Sequence, residues 1–166
     1  GIDIWMTTSA IANDFKVCQA YLGAKIHDPK DPGSDLSAML YQVVGSTFDL
    51  MNTYAGVWKG VTGSRSVPTF GFHYDVGLEP VSVNLERMIE RFCLGVRELG
   101  SIWKDVLSTG LFEFFIDLTT SPQEDFAIPD GAWVETIYSF AAAAHKKLLN
   151  REHLLRSLTP LYIGRV

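Results

Sequence analysis

Ser34-Asp35-Leu36-Ser37-Ala38-Met39-Leu40-Tyr41-Gln42-Val43-Val44 opens a run in which apolar residues return every three or four positions. Leu36, Met39, Leu40, Val43, Val44, Phe48, Met51 and Tyr54 hold that spacing to about Trp58, which predicts a long helix with Gly45 inside it. Ser34 suits the N-cap, and Asp35 in the first turn meets the positive end of the helix dipole. The pattern recurs downstream. Val83, Met88, Ile89, Phe92, Val96, Leu99 and Trp103 are the apolar stations of a second long helix opened by Pro80. Leu107 to Phe115 predicts a shorter helix. Trp133, Val134, Ile137, Tyr138, Phe140 and Ala141 to Ala144 predict another, and Asn150-Arg151-Glu152 begins the last. These windows decide the fold class: mainly α, a helical bundle with a small amount of β.

Upstream, Ile2, Met6, Ala10 and Ile11 share one side of a helical wheel, predicting a first helix over about 4–13 that Asn13-Asp14 ends. Thr7 and Thr8 weaken it, because β-branched side chains lose rotamer freedom in a helix. Phe15-Lys16-Val17-Cys18-Gln19-Ala20-Tyr21-Leu22-Gly23 alternates at its start and carries β-branched and aromatic residues. It reads as a strand continuing to about Ile26. His27-Asp28-Pro29-Lys30-Asp31-Pro32-Gly33 is a loop, since two prolines and a glycine disfavour helix and ladder alike. Gly60 to Pro68 is a Gly/Ser-rich break, Val67 to Val76 a candidate extended stretch, and Ser121 to Asp130 a second loop with two prolines.

The chain has 166 residues, 47% hydrophobic and 20% charged, enough for a core that needs no disulfide or metal staple. Its net charge of −5 disfavours nucleic acid, whose phosphates are held by clustered Lys and Arg. No run of 18 apolar residues occurs, so no transmembrane segment is expected. Cys18 and Cys93 sit in apolar stretches and read as buried thiols of a reducing compartment; a cytoplasmic location follows. Both ends break off in apolar sequence, at Gly1-Ile2-Asp3-Ile4-Trp5-Met6 and Leu161-Tyr162-Ile163-Gly164-Arg165-Val166, and read as cuts through a longer protein.

Chemistry-bearing residues are few. Asp3 stands among Ile2, Ile4 and Trp5, where a buried carboxylate costs several kcal/mol unless paired; the plainer reading is a helix-terminal carboxylate serving backbone amides. Lys25 and His27 fall on one face of an extended stretch at its exit into the Pro-rich loop. There an imidazole can offer nitrogen to a metal and the ammonium can hold a phosphate or carboxylate. One histidine makes no site alone, and a solvent-facing loop residue is the plainer reading. His73, His145 and His153 have no metal-ligand company at i+3 or i+4 and read as structural. Glu124-Asp125 reads as a solvated loop. Phosphate-cradling Gly-rich loops and the His-Glu-x-x-His motif are absent.

Taken in order, Gly1-Ile2-Asp3-Ile4, Leu22-Gly23-Ala24-Lys25-Ile26-His27 and Asp35-Leu36-Ser37-Ala38-Met39-Leu40-Tyr41-Gln42-Val43 resemble the C-terminal part of retaining GT-A glycosyltransferases. The similarity is to glucosyl-3-phosphoglycerate synthases and mannosylglycerate synthases, and it covers about the first 50 residues. The resemblance implies a nucleotide-sugar donor, a small anionic acceptor of glycerate or phosphoglycerate type, and a divalent metal, Mg or Mn. His27 falls on the family's histidine metal ligand. Asp3 falls on the acidic residue beside the acceptor and the reacting sugar. Lys25 stands where those enzymes place an arginine on the acceptor's anion, and a lysine lacks its bidentate fork. The family's Asp-x-Asp motif and nucleotide-binding half do not occur in this sequence; on this reading they precede Gly1.

The expected organisation is therefore the end of a GT-A catalytic domain over 1–33, on the acceptor and metal side, and an α-helical C-terminal domain over 34–166. The chain alone is expected to have no or trivial activity and an empty or weakly occupied metal site. Self-association is expected through apolar surface around Ile2, Ile4, Trp5 and Val17 to Tyr21. The alternative is a non-catalytic helical interaction or oligomerisation domain, with Trp58, Trp103 and Trp133 serving packing or a partner.

Overall fold

The computed structural model describes residues 1–23, 37–73 and 83–165. Its described part is mainly helical, as the apolar spacing predicts. The chain opens with α1 (Ile2–Ala12), passes through β1 (Gln19–Ala20), then forms α2 (Ser37–Thr53), α3 (Ala55–Trp58) and β2 (Thr69–Phe70). Helices α4 (Leu85–Val106), α5 (Thr109–Leu118), α6 (Asp130–Lys146), α7 (Arg151–Ser157) and α8 (Thr159–Arg165) follow, with a 3₁₀ turn at Gln123–Asp125.

The organising element is α4. Asn84 caps it, the side chain accepting from Arg87 N–H at 2.9 Å. Met88, Phe92, Gly95 and Trp103 are buried along one face, while Glu86, Glu90, Arg97 and Lys104 face solvent. Phe92 meets Phe126 edge-on at 5.2 Å and Phe115 at 6.0 Å, the geometry the ring quadrupoles favour. Trp103 is fully buried, and its indole N–H donates to the Ser157 carbonyl at 3.0 Å, tying α4 to α7. Helix α8 lies along α4 at very close approach: a Cβ added at Gly95 would stand 2.3 Å from Pro160 Cβ, and one at Gly164 2.6 Å from Phe92 Cδ2. The core closes with Phe140, Leu154, Leu158 and Leu161, all fully buried. The hydroxyls of the buried residues Thr136 and Ser157 donate within their own helices, to Ala132 O and Leu154 O at 2.8 Å each.

Several boundaries differ from expectation. The strand over 15–26 is a ladder of two residues: Gln19 pairs with Thr69 and Ala20 with Phe70, in parallel. Gln19 N donates to Pro68 O and Tyr21 N to Phe70 O, each at 2.9 Å. Gly71, at φ +87 with Tyr21 O 2.8 Å from where a Cβ would stand, turns the second strand away and stops the pairing. The helix expected over 34–58 breaks at Tyr54. The Trp58 indole N–H takes the Met51 carbonyl at 2.6 Å and Thr53 Oγ1 takes that of Asp49 at 2.8 Å, drawing acceptors away from a continuous ladder. The second long helix starts at Leu85 after the Asn84 cap, not at Pro80. The last expected helix is two, with Leu158 between α7 and α8, because Pro160 has no N–H to carry the ladder on. Ser34, Asp35 and Pro80 lie outside the described residues, as does the loop over 27–33.

The thiols are also corrected. Cys18 is exposed on the extended segment before β1, where no element covers it. Cys93 is half-buried on α4, and burial pushes its thiol pKa up, against the opposing pull of Arg97. No helix among the described residues is long and apolar enough to cross a membrane.

Candidate functional site

Asp3 occupies the first turn of α1, which Gly1 caps without a side-chain bond. It is exposed, so the carboxylate keeps its water and does not incur the desolvation cost its apolar neighbours suggested. The position suits a carboxylate, since the unpaired amides and the dipole of the helix start both favour negative charge. Lys25 and His27 lie outside the described residues. The chain leads towards them from β1 through Leu22, 92% exposed, and Gly23 at φ +93.

Helix α1 packs on α2 and on no other helix as extensively, and between the two runs an open groove of about 780 Å³. Trp5 and Gly1 line it from α1 and its cap; Tyr41, Gln42, Ser46 and Tyr54 line it from α2 and the turn that follows. Asn13 Nδ2 donates to Ser9 O at 2.8 Å and to Tyr54 Oη at 3.3 Å, fixing the end of α1 against the end of α2. Ser9 and then Asn13 direct polar groups at the Tyr54 phenol and lower its pKa from the ordinary tyrosine value. Ser9 Oγ is buried without a partner at hydrogen-bonding length, so it acts there as a nearby dipole. At the far wall Arg151 Nη2 donates to Asp49 Oδ2 at 2.7 Å, and the Arg156 guanidinium lies 5.8 Å from the Tyr41 ring centroid. The groove thus offers aromatic walls, a carboxamide, a hydroxyl and a guanidinium. That is a lining for binding a polar solute, without a paired nucleophile and base.

Asp3 does not line this groove, although Gly1 and Ile2 beside it do. Of Asp3, Lys25 and His27, only Asp3 falls among the described residues, in the first turn of α1 and outside the groove lining. Tyr41, Tyr54, Asn13 and Arg151 were not singled out for chemistry. Tyr54 carried only the signal of a helix station, and Asn13 that of a helix end; their meeting spans 41 positions. His145, read as structural, bonds to Asn52 across α6 and α2, with Nδ1 2.5 Å from Asn52 Oδ1. Glu124 and Asp125 are exposed in the 3₁₀ turn, as expected.

Among the described residues no three His, Cys, Asp or Glu side chains converge as a metal cage. His27, the candidate metal ligand, lies outside the described residues. Comparison with family models, with curated proteins and with solved structures finds no match.

Proposed function

We propose that the chain is the acceptor-side segment of a retaining GT-A glycosyltransferase, similar to the glucosyl-3-phosphoglycerate and mannosylglycerate synthases. The intact enzyme would transfer a hexose from a nucleotide sugar to a small anionic acceptor of glycerate or phosphoglycerate type. The observation that carries the reading is an ordered set. An exposed acid sits in the first turn of α1, the chain leaves β1 through Leu22-Gly23 towards Lys25 and His27, and the Gln42-Val43 pair lies on the helix that packs against α1. The intervening helices make β1 and β2 a parallel pair joined by a helical crossover, a connection typical of α/β units.

In this reading Asp3 positions the acceptor hydroxyl or stabilises positive charge developing on the sugar, and Lys25 holds the acceptor anion. His27 is the candidate ligand of a divalent cation, Mg or Mn, whose chemistry when bound is to neutralise the diphosphate of the leaving nucleotide. The test is turnover in the enzyme carrying its nucleotide-binding half. His27→Ala is expected to cut turnover about 10²-fold or more with the thermal midpoint nearly unchanged. Wild-type turnover in that variant, or a loss of stability in place of activity, would overturn the assignment.

A second reading, a helical interaction or oligomerisation domain without a site of its own, draws support from the exposed apolar residues Ile2, Trp5, Met6, Ile11 and Phe15. Hexosyl transfer by the intact protein would decide between the two.

A further inference from the structure

Next to the α1–α2 groove, the helices α2, α6 and α7 line a cavity of about 340 Å³, within the usual range for small-molecule pockets. Its floor is the core itself: Phe48, Leu154 and Leu155 are buried side chains. Its mouth is polar, with the two cations Lys147 and Arg151 set against one carboxylate, Asp49, and His145 beside them. In a chain of net charge −5 this is a local reversal of sign.

Three details bear on the mouth. The Asn52 carboxamide oxygen accepts from His145 Nδ1–H at 2.5 Å, which fixes the ring at the cavity's edge. Lys147 ends α6 in the left-handed conformation, φ 54, where glycine or asparagine would be less strained. Arg151 holds Asp49 at 2.7 Å, but both side chains are at least half exposed, so the pair is weak and readily exchanged for another anion.

We propose that this cavity binds a small amphiphilic oxyanion, an aryl or alkyl phosphate or carboxylate. The apolar part would rest on Phe48, Leu154 and Leu155, and the anionic group would meet Lys147 and Arg151. The proposal does not rest on the glycosyltransferase reading. It does give Asp49 and Arg151 a second consequence, since both also line the α1–α2 groove. An anion that draws Arg151 from Asp49 changes the wall of that groove.

The experiment is an amide-resolved NMR titration of the chain with phenyl phosphate, and with inorganic phosphate and phenol as the two halves of the probe. Phenyl phosphate is expected to bind at least about tenfold tighter than either half, with shifts centred on residues 48–52 and 144–155. Lys147→Gln should weaken it about tenfold through loss of a charge-assisted hydrogen bond. Asp49→Asn should strengthen it, because Arg151 is released to the ligand. The proposal is overturned if these amides do not respond at about 10 mM phenyl phosphate. Binding of either half as tightly as the whole would overturn it too, as would an unchanged Lys147→Gln affinity or a weakened Asp49→Asn affinity.

Discussion

Phe92, Trp103, Phe115 and Phe140 are fully buried, whereas Trp5, Met6, Ile11 and Phe15 are all more than half exposed. The two sets are similar in side-chain type and sit in helices, or next to one, but the apolar residues of α4 gather on one face while those of α1 spread around it. The neighbours differ as well. Helix α4 meets α5, α6, α7 and α8, while α1 packs mainly on α2 among the described residues and buries none of its own. The short β1–β2 pair shares the condition of α1, with all four residues exposed and Leu22 and Phe72 open beside it. Parallel strands are ordinarily covered on both faces, and these two are exposed. Apolar residues on a helix therefore do not by themselves state that they are covered.

The sharpest way to break this comparison is to remove the largest buried side chain. Trp103→Ala should destabilise the chain by about 3–5 kcal/mol in urea unfolding, through the cavity and the orphaned Ser157 carbonyl. A loss below about 1 kcal/mol would move the core away from α4.

A smaller effect tests the approach of α8 to α4. In an open helix Gly→Ala is favourable by about 1 kcal/mol. Gly95→Ala should instead destabilise by about 1–3 kcal/mol, since the new methyl meets the rigid Pro160 ring. The sign of the change in thermal midpoint is the measurement, and stabilisation would mean that α8 does not lie where it is described.

The smallest stability effect belongs to the open corner. Trp5→Ser should change unfolding free energy by no more than about 0.5 kcal/mol, because Trp5 is 57% exposed. Sedimentation at high concentration should nevertheless show less self-association than the unsubstituted chain. A loss of stability like that of Trp103→Ala, with association unchanged, would show that α1 is covered as well as α4 is.

Legibility in the sequence followed the same division. The helices α4, α5 and α6 were legible because their apolar stations and the loop at Ser121 to Asp130 act within a few residues of one another. The Ser108 cap of α5, which accepts from Leu111 N–H three positions on, was not singled out in the sequence. The break at Tyr54 was not legible, since it depends on the Trp58 indole reaching back to Met51, nor was the shortness of β1, which Gly71 sets from fifty residues away. The candidate site divides likewise. Asp3 at a helix start was readable because capping is local, but the α1–α2 groove and the cavity under His145 are made by Asn13 with Tyr54, Asn52 with His145 and Asp49 with Arg151.

The sequence by itself determined that this protein is mainly helical and where its helical windows lie, because hydrophobic periodicity and caps are properties of neighbouring residues. It also determined the acidic balance, which disfavours nucleic acid as a partner. Only the tertiary structure decided which apolar faces are buried, that Cys18 is exposed, and that a cationic mouth gathers over an apolar floor between α2, α6 and α7. Burial and electrostatic proximity are fixed by distances between segments far apart in the chain, and those distances arise only when the helices pack.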